Sequence, residues 1–327
     1  MITAKNLTKI YKTYHKTGNI ITDLFQRQYK DKKALDNISF DITEDELVGF
    51  IGPNGAGKTT TMKILSGILY PTSGLVEVLR FTPSEKEYAF LKQIAFVMGH
   101  KNQLLWELPA MDSFKLNKEI YEIDDRTFKN TVNELIELLQ AEKLINQPVK
   151  TLSLGKRMRM ELIASLLHKP KILFLDEPTI VLDIFAQTTI INFIKEYQKR
   201  YNSTIMLTSH YMQDVQRLAK RLIMINHGRI IFDGLLQDLV AKYSQQKMVH
   251  ITLLKPLPKD FETPEEIKCE YNFPQLRINT QKEHIAGILS YMLKKVEFTD
   301  VTIEDEPIEE IIKKIFTSSQ NTVSPPK

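Results

Sequence analysis

The sequence predicts an α/β fold, a mostly parallel sheet covered by helices, followed by a small α+β domain. Apolar runs bounded by turn residues recur along the chain and are separated by segments of helical periodicity, which is typical of a buried parallel sheet. These runs are LVGFIG, IAFVM, KILFLD and TIMLTSH. After about Ala241 the pattern changes to short strand-like pieces such as MVHITLL and QLRINT. The change indicates two domains.

The composition sets limits on the class of protein. The chain has 327 residues, and its 44 Lys+Arg against 40 Asp+Glu leave a net charge of +4, too small to indicate a nucleic-acid partner. The single cysteine, Cys269, excludes a disulfide framework and a multi-cysteine metal site and favours the cytosol. No apolar run approaches the roughly 20 residues of a membrane-spanning helix. Any membrane role is therefore expected to act through partner proteins.

The first predicted domain spans residues 1–240. It contains a helical subdomain at about 100–170, where SFKLNKEIYEI, FKNTVNELIELL and RMRMELIASLLH all have helical periodicity. RLIMIN and RIIFDG flank His227-Gly228, which predicts a β-hairpin that closes the domain near Gly234.

The second predicted domain, residues 241–316, ends in an amphipathic helix. Five apolar residues fall on one helical stripe, and they are expected to be core rather than partner surface: Ile308, Ile311, Ile312, Ile315 and Phe316. Regulation, dimer reinforcement and substrate reading are the roles open to this domain. The polar, proline-containing segment 317–327 predicts a disordered tail.

A phosphate-binding loop lies between an apolar strand and a helix. The string GPNGAGKTT follows LVGFI and precedes TMKILSGIL, so motif and context both indicate a P-loop. Its backbone N–H groups are expected to bind the α- and β-phosphates, Lys58 the β- and γ-phosphates, and Thr59 a Mg²⁺ ion. ATP and Mg²⁺ are the predicted ligands. The loop comprises Gly52, Pro53, Asn54, Gly55, Ala56, Gly57, Lys58, Thr59 and Thr60.

Two further apolar strands end in residues suited to phosphoryl transfer. KILFLDEP delivers Asp176 and Glu177 to the carboxyl end of a buried strand, where α/β sheets bind ligands. Asp176 is expected to hold Mg²⁺ and Glu177 to polarise the attacking water. TIMLTSH delivers His210 to the same sheet edge, where an imidazole is placed to contact the γ-phosphate and orient the water.

The stretch TLSLGKRMRMELIASLLHKPKILFLDEPTIVLD resembles the signature, Walker B and D-loop motifs of ABC (ATP-binding cassette) ATPases in their usual order. LSLGKRMR with LLHKPKILFLDEPT is most similar to the ATPase subunits of bacterial type 2 ABC exporters. The resemblance covers about Thr3 to Gly234. It implies an ABC cassette fold, with an antiparallel β subdomain and an inserted helical subdomain, and ATP hydrolysis coupled to transport at the cytoplasmic face of the cell membrane.

The resemblance also implies roles for individual residues. Ser153 and Gly155 keep key positions of the family's LSGGQ signature, which reaches the γ-phosphate bound to the opposite subunit, although Leu154 and Lys156 depart from it. Asp183 matches the D-loop aspartate, whereas Val181 replaces the D-loop glycine and reduces the local backbone freedom.

Two nucleotide contacts carry over less directly. Tyr11 in KIYK matches the aromatic residue that stacks on adenine in the family. The Q-loop glutamine, which senses the γ-phosphate and links it to the permease, aligns best with His100 in VMGHKNQLLWELP. Either His100 replaces that glutamine or Gln103 serves three residues later.

The expected partners are a second cassette, in a homodimer or a heterodimer, and integral membrane permease subunits. A soluble ABC ATPase that acts on ribosomes or DNA is the alternative, although the chain has neither two cassettes nor long coiled coils. A regulatory nucleotide-binding module without turnover is a third possibility, against which Glu177 and His210 argue. The transported substrate does not follow from this sequence.

The segment at about 12–33 is more than a usual cassette needs, and it resembles an insertion in polysaccharide-exporting ABC ATPases, which makes polysaccharides a candidate substrate class. It predicts an amphipathic helix, which is suited to docking on lipid headgroups or on a permease. The other interpretation is a solvated excursion packed on its own domain. Its apolar side has Ile21, Leu24, Phe25 and Tyr29, and its basic residues are Arg27, Lys30, Lys32 and Lys33.

Overall fold

A computed structural model describes residues 1–15, 28–99, 101–209, 211–243, 246–258 and 268–321. The chain forms two compact units, Met1–Leu235 and Leu236–Lys327. The division falls at the end of a strand, so the helix that follows it belongs to the second unit. None of the described helices has the length and apolar character needed to cross a membrane.

The described part of the first unit contains both strands and helices. The strands are β1 (Ile2–His15), β2 (Gln28–Ile42), β3 (Leu47–Ile51), β4 (Ser73–Val78), β5 (Ile94–Met98), β6 (Ile172–Asp176), β7 (Thr204–Thr208), β8 (Arg221–Asn226) and β9 (Arg229–Leu235). The helices are α1 (Lys58–Leu65), α2 (Tyr88–Leu91), α3 (Ala110–Ile120), α4 (Asp125–Leu138), α5 (Leu154–Leu166), α6 (Ile184–Tyr201) and α7 (Met212–Leu218). Short 3₁₀ turns lie at Pro83–Glu85 and Val149–Thr151.

The central sheet has six strands in the order β5-β6-β7-β3-β8-β9. The first five are parallel, and β9 pairs antiparallel with β8. Strands β6 and β7 are buried along their whole length, because helices cover both faces of a parallel sheet. At the predicted hairpin, His227 and Gly228 both have positive φ, 47° and 76°, as a two-residue turn of this hand requires.

A second, antiparallel sheet has the order β2-β1-β4. The ladder between β1 and β2 has register shifts between Ala4 and Ile10 and is then continuous from the Ile10–Lys33 pair to the His15–Gln28 pair. The predicted amphipathic helix is therefore wrong for residues 29–33, which lie in β2. Backbone pairing with β1 outweighs the helical spacing of these side chains, and Thr13 Oγ1 adds a hydrogen bond of 2.9 Å to Lys30 O. The other helix residues, Ile21, Leu24, Phe25 and Arg27, lie outside the described residues.

Helices α3, α4 and α5 form the helical subdomain. Their apolar faces share one core, in which Phe114 of α3, Leu135 of α4 and Ile163 of α5 are fully buried. Asp124 caps α4, since its side chain accepts a hydrogen bond of 2.9 Å from Thr127 N. The core continues to Leu175 on β6, so the subdomain packs directly on the sheet that carries the predicted carboxylates.

The described part of the second unit contains α8 (Leu236–Tyr243), β10 (Gln246–Leu253), β11 (Lys268–Asn272), β12 (Gln275–Gln281), a 3₁₀ turn (Lys282–His284), α9 (Ile285–Lys295), β13 (Phe298–Asp305) and α10 (Ile308–Asn321). Its four strands form an antiparallel sheet in the order β11-β12-β10-β13. Ile288 and Met292 of α9 pack on Val249 and Ile278 of the sheet.

Helix α10 carries the predicted apolar stripe, and Ile308, Ile311, Ile312 and Ile315 are all buried. The helix extends into the predicted tail as far as Asn321, so a disordered segment beginning at residue 317 is wrong for residues 317–321. The hydroxyl of Thr317 donates to Lys313 O, and that of Ser318 donates to Ile315 O. These bonds let two polar residues continue the helix.

Candidate functional site

The P-loop connects β3 to α1 and depends on glycine at two positions. A Cβ at Gly57, where φ is 116°, would lie 2.8 Å from Ala34 O, and one at Gly52 would lie 2.2 Å from Ile225 O. Any side chain at either position would displace backbone atoms of a neighbouring strand. The loop therefore lies close enough to β2 and β8 for its backbone N–H groups to be held in place before a ligand binds.

Lys58 is the first residue of α1, and its side chain turns back over the loop. Its Nζ donates hydrogen bonds of 2.6 Å to Gly52 O and 3.2 Å to Pro53 O. Burial lowers the pKa of Lys58, while the charges of Glu177 and Asp176 act in the opposite direction. The two carboxylates thus favour an ammonium group at the mouth of the loop, where phosphate oxygens bind.

Asp176 ends β6 and is only 1% exposed. Its Oδ2 accepts a hydrogen bond of 2.8 Å from Thr59 Oγ1, and its Oδ1 accepts one of 2.7 Å from Thr208 Oγ1. The described residues contain no group of three or more His, Cys, Asp or Glu side chains that could hold a metal alone. Mg²⁺ is commonly bound through one or two carboxylates together with substrate phosphates, and the Thr59–Asp176 pair fits that kind of site.

Glu177 follows the end of β6, and backbone hydrogen bonds to Thr208 fix its position. Its N–H donates to Thr208 O at 3.1 Å and to Thr208 Oγ1 at 3.0 Å, and its φ is 56°. This conformation is uncommon outside glycine and occurs often in active sites. The carboxylate faces the same cavity as the P-loop.

That cavity has a volume of about 460 Å³ and two distinct walls. The P-loop and Glu177 form one wall, and the β1–β2 ladder, including the predicted adenine-stacking residue Tyr11, forms the other. The lining residues are Tyr11, Lys12, Thr13, Lys32, Ala34, Asn54, Gly55, Gly57, Lys58, Thr59, Thr60 and Glu177. The fold thus brings an aromatic ring, a phosphate loop and a carboxylate together from separate parts of the chain.

Not every predicted site residue lines this cavity. His210 and His100 lie outside the described residues. Gln103 points elsewhere, because its Nε2 donates to Phe96 O at 2.9 Å and its backbone N–H donates to Glu161 Oε1 at 2.9 Å. Gln103 therefore bridges β5 and α5.

Glu161, on α5, is a buried carboxylate that sequence reasoning did not single out. It is 3% exposed, and burial raises its pKa to about 7, although hydrogen bonds from the backbone N–H groups of Gln103 and Leu104 and the charge of Arg157 oppose the shift. Its position beside apolar residues such as Leu162 and Ile163 is the sequence feature that could have indicated a buried carboxylate. An acid on the buried stripe of a helix needs a partner, which here is the backbone of the segment after β5.

The signature residues lie at the start of α5. Ser153 is the N-cap residue and is exposed, and its side chain makes no capping hydrogen bond. Gly155 is buried against α6, where a Cβ would lie 2.7 Å from Ala186 Cβ. Neither residue lines the P-loop cavity of its own chain.

The D-loop residues precede α6. Asp183 caps this helix, since its Oδ1 accepts a hydrogen bond of 2.8 Å from Ala186 N. Val181 has a φ of 60° and is 75% exposed. A β-branched residue in the left-handed region is a backbone outlier, and no buried contact of its side chain compensates.

We expect Val181→Gly to raise the free energy of unfolding by about 1 kcal/mol, since glycine adopts this φ without a steric penalty. Urea unfolding of the whole chain measures the change. Val181→Ala keeps a Cβ and should recover only part of the gain. If both variants raise the free energy of unfolding equally, the cause is removal of the exposed apolar side chain and not relief of backbone strain.

A P-loop that opens a helix after a buried strand, with a P-loop threonine hydrogen-bonded to a strand-end aspartate, defines a nucleoside triphosphate-binding protein of the P-loop class. The family model described as "ABC transporter" matches residues 35–180. The chain is 31% identical over 223 residues to the daunorubicin resistance ATP-binding protein DrrA3 of Streptomyces coeruleorubidus, covering 68% of this chain and 70% of that protein.

A second sequence relative and a solved structure agree with this family. The ABC transporter ATP-binding protein NatA of Bacillus subtilis is 29% identical, over 71% of this chain and 94% of NatA. The dimeric structure of the cassette MJ0796 bound to ADP and Pi has a TM-score of 0.62 at 23% identity and covers 72% of this chain and 99% of that chain, which supports the fold. The chain belongs to the ABC transporter family of ATP-binding proteins and is an ABC ATPase.

Proposed function

We propose that this chain binds Mg²⁺-ATP in the P-loop cavity and powers export by separate permease subunits at the cytoplasmic face of the membrane. The observation that carries the proposal is the meeting of Lys58, the Thr59–Asp176 pair and Glu177 at one cavity opposite Tyr11. The export direction is supported by the relative that is named for daunorubicin resistance.

In the proposed site, the loop N–H groups and Lys58 bind the phosphates, and Tyr11 stacks on the adenine. Thr59 and Asp176 would hold Mg²⁺, which when bound neutralises phosphate charge. Glu177 accepts a proton from the attacking water, and His210 orients that water. The hydroxyl of Thr208 donates to Asp176 and accepts from the backbone N–H of Glu177, so it fixes the positions of these two residues relative to each other.

We also propose a composite site built by two cassettes, in a homodimer or a heterodimer. Ser153 is exposed, caps no backbone N–H group and does not line the cavity of its own chain, which leaves its hydroxyl available to a nucleotide on a second copy. The packing of Gly155 against Ala186 links this signature to the D-loop helix that Asp183 caps. ATP binding would close such a dimer and hydrolysis would reopen it.

The first test removes the phosphate contact of Lys58. We expect Lys58→Ala to weaken ATP binding at least about tenfold and to abolish measurable ATPase activity, because a charge-assisted contact to the phosphates is lost. Lys63→Ala, on the same helix but away from the cavity lining, is the control and should leave both properties unchanged. Equal affinities for wild type and Lys58→Ala would contradict the proposed site.

The second test addresses the partners. The tagged chain, isolated from detergent-solubilised membranes of its own host, should co-purify with integral membrane proteins, and their joint reconstitution should stimulate the ATPase. Recovery with ribosomes or DNA instead, and no stimulation by a membrane partner, would favour the soluble ABC ATPase.

A further inference from the structure

The wall of the cavity that the β1–β2 ladder forms includes two lysines, Lys12 on β1 and Lys32 on β2. The family resemblance gives neither of them a role. Both side chains are exposed. Within the described ranges neither lysine has an ion-pair partner, whereas the neighbouring Lys33 pairs with Asp36 at 2.9 Å. A lysine that faces a phosphate loop without a carboxylate of its own is placed to act on an anionic ligand.

The ladder register sets the direction in which Lys32 points. Lys32 lies directly opposite Tyr11, and Lys33 lies opposite Ile10. Because directly opposed residues of antiparallel strands share a face, Lys32 lies on the face of Tyr11, and Lys33 lies on the other face. The chain thus contains two adjacent lysines, of which only Lys32 lines the cavity.

The same strand also touches the phosphate loop. Ala34, two residues after Lys32 on β2, has its carbonyl oxygen 2.8 Å from where a Cβ of Gly57 would lie. Two residues span roughly 6.6 Å along a strand. A lysine side chain of four methylene groups bridges a gap of that size, so the ammonium of Lys32 can reach a phosphate chain that leaves the loop toward Tyr11.

We propose that Lys32 is an additional nucleotide-binding residue, whose ammonium contacts the phosphate chain of ATP from the wall opposite the P-loop. The inference rests on the proposed function, since it needs ATP in this cavity. It assigns a ligand contact to the part of the β1–β2 ladder that the sequence analysis treated as an insertion. Lys12 also lines the cavity, but it lies directly opposite Asp31 and hence on the other face of the ladder from Tyr11 and Lys32, so it is not part of this contact.

The test measures the dissociation constant of the non-hydrolysable analogue AMP-PNP, with Mg²⁺, by isothermal titration calorimetry. We expect Lys32→Ala to raise this constant about threefold to tenfold, which is the effect of one partly solvated charge–phosphate contact. Lys32→Arg should stay close to wild type because it keeps the charge. Lys33→Ala is the matched control on the other face and should leave the constant unchanged.

Salt concentration supplies a second readout. The difference between wild type and Lys32→Ala should shrink as NaCl rises from about 0.05 M to 0.5 M, since salt screens an exposed charge. Equal dissociation constants for Lys32→Ala and Lys33→Ala at low salt would overturn the inference, provided that Lys58→Ala still weakens binding at least about tenfold. If the wild-type protein itself does not bind AMP-PNP, the result contradicts the proposed function as well as this inference. Thermal unfolding midpoints equal to that of wild type would show that the variants have no folding defect.

Discussion

Glu177→Gln is expected to lower the ATPase rate at least about 100-fold, which is the usual contribution of a positioned general base. The backbone of Glu177 is held by Thr208, and the amide is nearly isosteric with the carboxylate, so the cavity wall should keep its shape. The amide cannot accept the proton of the attacking water. Nucleotide affinity should therefore persist while turnover stops.

Steady-state phosphate release measures the rate, and light scattering with Mg²⁺-ATP measures assembly. The blocked protein should accumulate as an ATP-bound dimer, whereas wild type should return to monomers as ATP is consumed. Glu142→Gln, an exposed position on the helical subdomain, is the matched substitution and should leave the rate unchanged. Persistent hydrolysis by Glu177→Gln would remove its assigned role.

The second large effect concerns Glu161 and pH. Its pKa is about 7 in the folded protein, because burial penalises the ionised form, compared with 4.5 as the ordinary value. Between these values the folded state binds a proton that the unfolded state has released. The contribution of Glu161 to stability is therefore fully present below about pH 4.5 and is lost as the pH rises to about 7. The full loss is about 3 kcal/mol.

Glu161→Gln removes this titration while keeping an oxygen that can accept from Gln103 N. We expect the variant to be similar to wild type in free energy of unfolding near pH 4.5 and more stable than wild type near pH 8. Urea unfolding of both proteins at intervals between these limits measures the difference. Glu137→Gln, exposed on α4, should show no such trend. A constant difference between Glu161→Gln and wild type across the range would contradict the assignment.

The contact of Glu161 also bears on how the subdomain is coupled to the core. Helix α5 begins after its N-cap residue Ser153, and two turns later its Glu161 accepts a hydrogen bond from the backbone N–H of Gln103. Gln103 in turn binds the carbonyl of Phe96 on the edge strand β5. These two hydrogen bonds connect helix α5 to the segment that follows β5, in which the sequence places the Q-loop.

The parts of the site that sequence predicted are those in which neighbours along the chain are also neighbours in space. The P-loop string lies on one strand–loop–helix unit, and Asp176 and Glu177 follow one apolar run, so local pattern was sufficient. Lys32 could not be found in this way, because the spacing of apolar and basic residues around it predicted a helix, whereas Lys32 lies in a strand and pairs with Tyr11, 21 residues earlier. Glu161 was missed because its partner lies 58 residues away.

By itself the sequence determined the α/β class, the phosphate loop and the two carboxylates, because hydrophobic periodicity and glycine-specific conformations are encoded within a few residues. Only the tertiary structure decided that Tyr11 and Lys32 face the loop from one ladder, that Thr59 bonds to Asp176, and that Gln103 turns away toward Phe96. Strand register and the packing of separate elements set those contacts, and they arise from the whole chain rather than from any local stretch of it.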